Sequence, residues 1–324
     1  MLRDEANAPR YDGGARGHYE SWFVRGNDPA SERAIWLRYT IFAPAGRPAD
    51  AVAELWAVVF DGDHVAVKTV TPIGDATFAS GSGLAIRIGE ALLTDRAVSG
   101  SAASGNHRIS WQLSYAGGGE PVILLPERLY TGGFPKAKAL VPAPGVTLSG
   151  EVSVDGVPMV VDGWIGSQNH NWGSRHTDEY AWGQVVGFDN DPDAFLECST
   201  ARIRMVGMLS PPFTPVVLRV HGEELRLNSM ATMLRASARY RSADDPLTWT
   251  WRTSGRDGAG RPVRVVGEFS APRAAFVTLA YDNPPGGTKT CENTKIARCR
   301  VIVTGSGAPM ELISEHRAAL EILG

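Results

Sequence analysis

The chain has 324 residues, enough for two domains or one large β structure with a sizeable core. Lys and Arg number 32 against 35 Asp and Glu, a formal net charge of −3 with no long run of one sign, which excludes the basic footprint of a nucleic-acid binder. Apolar residues make up 43% but come in short pieces such as Leu55 to Phe60, far below the ~18 consecutive residues a membrane helix needs, so no transmembrane segment is expected.

The first nine residues hold Asp4 and Glu5 and no apolar stretch, unlike a secretory signal, and a cytoplasmic location is expected. Strands are predicted at Ile35 to Phe42, Ala53 to Phe60, His64 to Val70, Arg108 to Tyr115, Val146 to Val154 and Val157 to Val161. Further strands follow at Ala181 to Phe188, Val216 to Val220, Glu224 to Leu227, Thr248 to Thr253, Val263 to Phe269 and Arg298 to Val303. Asp155-Gly156 is the strongest hairpin signal, because both positions of that turn need positive φ, and Asp61-Gly62, His221-Gly222 and Asp257-Gly258 repeat it. Gly117-Gly118-Gly119 reads as a hairpin tip, and Gly81-Ser82-Gly83 and Gly305-Ser306-Gly307 read as turns.

Strands this short, separated by turn residues, argue for an all-β chain of antiparallel barrels or sandwiches and against a nucleotide-binding α/β fold. Pro135, Pro142 and Pro144 in the stretch from Phe134 to Gly145 are expected to prevent regular pairing, which places a divide between residues 1–140 and residues 141–324. One helix is expected at the C-terminus, opened by Pro309 with Met310, Ile313, Leu320 and Leu323 on its apolar face. Cys198, Cys291 and Cys299 lack zinc or thiol-exchange spacing and are read as reduced, although a short hairpin could bring Cys291 opposite Cys299.

The stretch from Asp162 to Gln184 breaks the strand-and-turn pattern. It reads as a loop holding three of nine tryptophans, Trp164, Trp172 and Trp182, and two of seven histidines, His170 and His176, beside Gln168, Asn169, Asp178 and Tyr180. Buried groups of this kind must be hydrogen-bonded almost completely, so the segment is either a structural polar network or a site. Its glycines at 163, 166, 173 and 183 would permit positive φ or a close approach to the indoles. His170, His176 and Asp178 match no recurrent ligand pattern, and no metal site is expected. The chain has no Gly-x-Ser-x-Gly elbow and no phosphate loop, so serine hydrolysis and nucleotide chemistry are not expected.

The run Gln168-Asn169-His170-Asn171-Trp172-Gly173, followed by His176 and Tyr180-Ala181-Trp182-Gly183, resembles the AttH-like proteins related to carotenoid 1,2-hydratase. Gly17 to Trp22, Ala34 to Tyr39, Glu54 to Asp61 and Phe134-Pro135-Lys136 resemble the same group, so the likeness covers most of the chain. It implies two lipocalin-like β-barrels, the second carrying the motif, that meet at a hydrophobic cavity where a carboxylic acid stays uncharged. The family's His-x-Trp pair falls on His170 and Trp172. Its Tyr-x-Asp pair is matched only by Phe195 and Glu197, which removes a phenol and lengthens the acid by one methylene.

On this reading Glu197 or Asp178 protonates a double bond and His170 assists as base. Trp164, Gln168, Asn169, Trp172, His176, Tyr180, Trp182 and Phe195 line the substrate, with the indole faces stabilising a carbocation. The expected function is a cofactor-independent hydratase or dehydratase acting on a hydrophobic isoprenoid or polyene. The alternatives are a cyclase that works by orientation and a carrier without catalysis. The sequence leaves the oligomeric state open.

Overall fold

Turn chemistry and β-branched runs fold into a chain made almost wholly of antiparallel strands, described in a computed structural model over residues 1–81, 83–205, 208–241, 243–305 and 308–323. It divides into two units, one formed by Met1–Val122, Pro135–His176 and Tyr281–Thr288, the other by Ile123–Phe134, Thr177–Ala280 and Lys289–Gly324. Among the described residues no helix is long and apolar enough to cross a membrane.

The first unit opens with a short helix, α1 (Arg3–Asn7). Its strands are β1 (His18–Asn27), β2 (Ala34–Ala43), β3 (Val52–Phe60), β4 (Val65–Pro72), β5 (Ala76–Gly81), β6 (Gly83–Ile88), β7 (Ala91–Thr94), β8 (Ala97–Ser104), β9 (His107–Gly117), the short β10 (Val122–Ile123), β11 (Ala137–Val154) and β12 (Val157–Gly173). The sheet runs in the order β4-β3-β2-β1-β12-β11-β9-β8-β7-β6-β5. It curls until β4 meets β8, where Ala103 N–H donates to Thr69 Oγ1 at 2.9 Å, and the enclosed core holds Trp22, Ile35, Leu37, Tyr39, Trp111 and Trp164.

The second unit contains β13 (Glu179–Phe188), β14 (Asp191–Arg202), β15 (Arg204–Met205), β16 (Met208–Leu209), β17 (Val216–Val220), β18 (Glu223–Leu227), α2 (Met230–Arg235), β19 (Ser237–Arg241), β20 (Leu247–Arg256), β21 (Pro262–Ala271), β22 (Val277–Asp282), β23 (Thr288–Thr304) and β24 (Met310–Leu323), except that Tyr281 and Asp282 of β22 and Thr288 of β23 belong to the first unit. Its sheet runs β18-β17-β14-β13-β24-β23-β21-β20-β19 around a core of Leu196, Cys198, Trp249, Trp251, Phe269 and Leu320.

The hairpin reading holds at Asp155-Gly156 and His221-Gly222, whose φ values of 52° and 85°, and of 51° and 76°, are all positive. The residues 82, 306 and 307 of the two predicted glycine-serine turns lie outside the described residues.

Four expectations are corrected. The C-terminal helix is strand β24, because a central position between β13 and β23 supplies both rows of its backbone partners, and Leu312 and Ser314 are buried where Glu311 and Glu315 are exposed. The prolines do not interrupt pairing. β11 runs through Pro142 and Pro144, absorbing them as register shifts against β12, so the expected divide at 140/141 falls inside one strand and the motif lies in the first unit. Cys291 and Cys299 share β23, eight residues apart in sequence, which rules out a facing pair across a hairpin, and all three cysteines are buried thiols outside any disulfide. The presumed loop from Asp162 is mostly sheet, since β12 extends to Gly173 and pairs with β1 on one side and β11 on the other. Of its glycines only Gly163 has positive φ, 66°, and the ring that excludes a side chain at Gly183 is Phe269, not an indole.

Candidate active site

Alternation along β12 splits the motif between two faces. His170 lies opposite Trp22 of β1, whose side chain is in the first unit's core, while Asn169 and Asn171 lie opposite Phe23 and Ser21 on the other face. The motif therefore does not line a single chamber.

On the core side His170 is fully buried and both ring nitrogens are engaged, Nδ1 with Ala6 O at 2.6 Å and Nε2 with Glu20 Oε1 at 2.8 Å. Each ring nitrogen thus faces an oxygen. Trp22 stacks on this ring at 4.7 Å and Trp172 lies tilted at 4.8 Å. Glu20, also fully buried, accepts further bonds from His18 Nε2 at 3.0 Å and from the N–H groups of Arg10 and Tyr11 at 2.8 to 3.0 Å. Burial alone pushes this carboxyl up, but the bonds from His170 and His18 outweigh it and bring it down to about 2. Gln168 Nε2 donates to Asn7 Oδ1 at 2.9 Å, and Trp22 Nε1 to Asn7 O at 3.0 Å. Two motif residues thus tie the N-terminal segment to the sheet.

On the opposite face, beyond the end of β12, His176 stacks on Tyr19 at 4.0 Å and lies 5.8 Å from Tyr281. Its Nε2 meets Asp282 O at 3.1 Å, and its backbone N–H donates to Asn283 Oδ1 at 3.0 Å. Ser21 and Thr40 share a hydroxyl bond of 2.9 Å on this face.

In the second unit β14 alternates in the same way. Leu196 and Cys198 enter the apolar core, while Phe195 and Glu197 point to the other face, where Glu197 is only 1% exposed. Its Oε1 accepts from Trp182 Nε1 at 2.7 Å and its Oε2 from Gln184 Nε2 at 2.8 Å. Gln184 lies directly opposite Glu197, and Glu321 of β24 opposite Trp182. Glu321 in turn accepts from Lys295 Nζ at 2.9 Å and from Tyr180 Oη at 3.3 Å, and Lys295, fully buried, also donates to Asn293 Oδ1 at 2.6 Å. Tyr130 reaches the same neighbourhood from the segment before β11, its phenol pushed up first by burial and also by the charge of Glu197. Asp178 accepts from the Arg204 N–H at 2.8 Å and lies 3.9 Å from Lys289.

The residues singled out in sequence fall into two sets. Trp164, Gln168, Asn169, His170, Trp172 and His176 belong to the first unit, and Asp178, Tyr180, Trp182, Phe195 and Glu197 to the second. Each of the three tryptophans already has a resident cation: Arg33 at 5.7 Å from Trp164, Arg10 at 5.2 Å from Trp172 and Lys295 at 5.4 Å from Trp182. The sequence reading missed Glu20, Arg38, Tyr130, Lys295 and Glu321. A charged residue inside an apolar run was the available signal for Arg38, whereas Glu20 is 150 residues from His170 and Glu321 stood in the supposed helix. Among the described residues no group of three or more His, Cys, Asp or Glu is placed to hold a metal ion.

No family model matches the chain, and no curated protein matches it. Its fold is shared with solved structures. A candidate AttH from Nitrosomonas europaea superposes with a TM-score of 0.56 at 11% identity, over 98% of this chain and 96% of that one. Kievitone hydratase from Nectria haematococca gives 0.54 at 9% identity, over 100% and 92%. CghA with Sch210972 gives 0.53 at 12% identity, over 97% and 93%. These likenesses establish the AttH-like, lipocalin-type architecture of the chain; at such identities they speak of fold and not of chemistry.

Proposed function

We propose that this chain is a hydratase or dehydratase acting on a largely apolar isoprenoid or polyene by acid–base chemistry, with Glu197 delivering the proton. The observation that carries the reading is a carboxyl group buried on the sheet face that turns away from the apolar core, held by an indole and an amide donor at 2.7 and 2.8 Å. Proton delivery to a weakly basic double bond needs an acid fixed in a water-poor site, and such general acid catalysis is worth about 10²- to 10⁴-fold. Asp178 is the weaker candidate, since it holds the backbone of Arg204. His170 is assigned to positioning, because its nitrogens bind Ala6 and Glu20. Tyr130 stands in for the phenol absent at Phe195. Kinship of fold with kievitone hydratase agrees with this reading.

The test is solvent-derived oxygen or deuterium incorporation into a panel of isoprenoid and polyene alkenes, read by mass spectrometry. The full chain is expected to label one of them, and Glu197→Gln to lose at least a hundredfold of the rate while remaining folded. Full labelling by Glu197→Gln would remove the acid.

A second reading, a cyclase that orients a reactive polyene, draws on the resident cations. Rings already facing Arg33, Arg10 and Lys295 are poor partners for a carbocation. That reading expects cyclised product and tolerance of Glu197→Gln, and a carrier would convert nothing.

A further inference from the structure

We infer that Arg38 is an oxyanion-binding group for an organic monoanion of the carboxylate type carried on a flat, conjugated frame. Arg38 stands in the middle of β2 and is only 5% exposed. Among the described residues it makes no hydrogen bond and no ion pair, and its Nε is buried without a partner. Its guanidinium instead lies 4.7 Å from the ring of Tyr281 and 5.7 Å from that of Trp36. Burying a charge costs several kcal/mol, and buried arginines normally recover this through hydrogen bonds to an anion. A fold that keeps one without them leaves an anion's place open.

The surroundings narrow the chemistry. Lys68, the neighbouring cation, is already matched by Glu54 Oε1 at 3.0 Å, and the remaining carboxylate, Asp282, is exposed and 3.9 Å from Lys68. Among the described residues Arg38 is thus the one cation of this cluster with no carboxylate bonded to it, which suits a monoanion better than a phosphate dianion. The guanidinium fork fits the two oxygens of a carboxylate, and its surroundings are aromatic, Tyr281 and Trp36 against the guanidinium with Tyr19, Trp56 and His176 packed beside them, which suits an unsaturated frame better than a polar one. A second orphan supports the same face: Asn171 Oδ1 is buried without a partner, and Asn171 lies in register with Ser21, which bonds Thr40 of the strand that carries Arg38.

This inference goes beyond the proposed function and does not depend on it, since Glu197 belongs to the other unit and the test reads binding instead of turnover. The probe is cis-parinaric acid, a fluorescent conjugated polyene, titrated into the full chain beside its methyl ester, which keeps the polyene and lacks the charge. The wild-type chain is expected to bind the acid at least ~10-fold more tightly, the effect of a charge-assisted hydrogen bond. Arg38→Met should bring the acid down to the level of the ester and leave the ester unchanged, while Arg38→Lys, which keeps the charge and loses the fork, should retain part of the preference. Removing an unmatched charge should leave the melting temperature of Arg38→Met unchanged or raised, and added acid should raise the melting temperature of the wild-type chain alone. Equal affinity for acid and ester, binding of neither, or an acid preference that survives in folded Arg38→Met would overturn the inference.

Discussion

Glu20 and Arg38 are charged groups that the first unit buries in opposite ways. Glu20 is surrounded by donors, two imidazoles and two backbone N–H groups, and each of its oxygens is engaged. Arg38, one strand away and on the other face, has ring faces for neighbours and no acceptor. The two burials teach different things. The bonds to Glu20 and His170 are complete and fix residues 3–11 against β1 and β12, while beside them Asn7 Nδ2 and Gln168 Oε1 are buried without a partner. An unsaturated charge is a cost the folded chain carries until something binds.

Breaking the saturated side should cost the most. Glu20→Gln places an N–H among donors and leaves His170 without its carboxylate, so a loss of about 3–5 kcal/mol is expected in denaturant unfolding. Lys295→Met extends the comparison to the second unit. It leaves Glu321, which lies opposite Trp182, without its cation, and a loss of about 3 kcal/mol is expected by the same measurement. If Lys295→Met proved neutral, the Lys295–Glu321 pair would not be a structural network of the Glu20 kind.

The acid limb of stability sharpens the contrast further. Glu20 titrates at about 2 in the folded chain against an ordinary 4.5, so its contribution is complete above the unfolded value and is lost as pH falls from there toward 2. Unfolding curves between pH 5 and 2 should show a stability loss of order a few kcal/mol, and Glu20→Gln should flatten that limb. The smallest effect belongs to Arg38→Met, whose stability should match or slightly exceed that of the wild-type chain.

Much of the architecture was legible in the residues. Asp155-Gly156 fixed a hairpin because only a few residue types tolerate two positive φ values, and runs such as Ala53 to Phe60 could only be buried strand. β1 escaped notice because both its faces are buried and each mixes polar with apolar residues, Glu20 with Trp22 on one and Ser21 with Phe23 on the other, which erases the alternation a half-exposed strand displays. β24 was mistaken for a helix because Met310, Ile313, Leu320 and Leu323 fit a 3.6-residue period by chance, while its central position in the sheet is a tertiary fact.

The candidate site was legible only in part. Glu197 could be singled out along the chain, whereas its burial and its bond from the Trp182 indole are tertiary facts. The roles of Glu20, Arg38 and Lys295 depend on pairings between strands far apart in sequence, and spacing along the chain does not encode them. The resemblance singled out the motif, and alternation along β12 divides it between the face toward the first unit's core and the opposite face.

The most direct test of this account measures the melting temperatures of the wild-type chain, Glu20→Gln and Arg38→Met side by side at neutral pH. Glu20→Gln should melt well below the wild-type chain and Arg38→Met at or above it. A fall of similar size in both variants would contradict the account, because Arg38 would then belong to a satisfied structural network and not to an open place for a ligand.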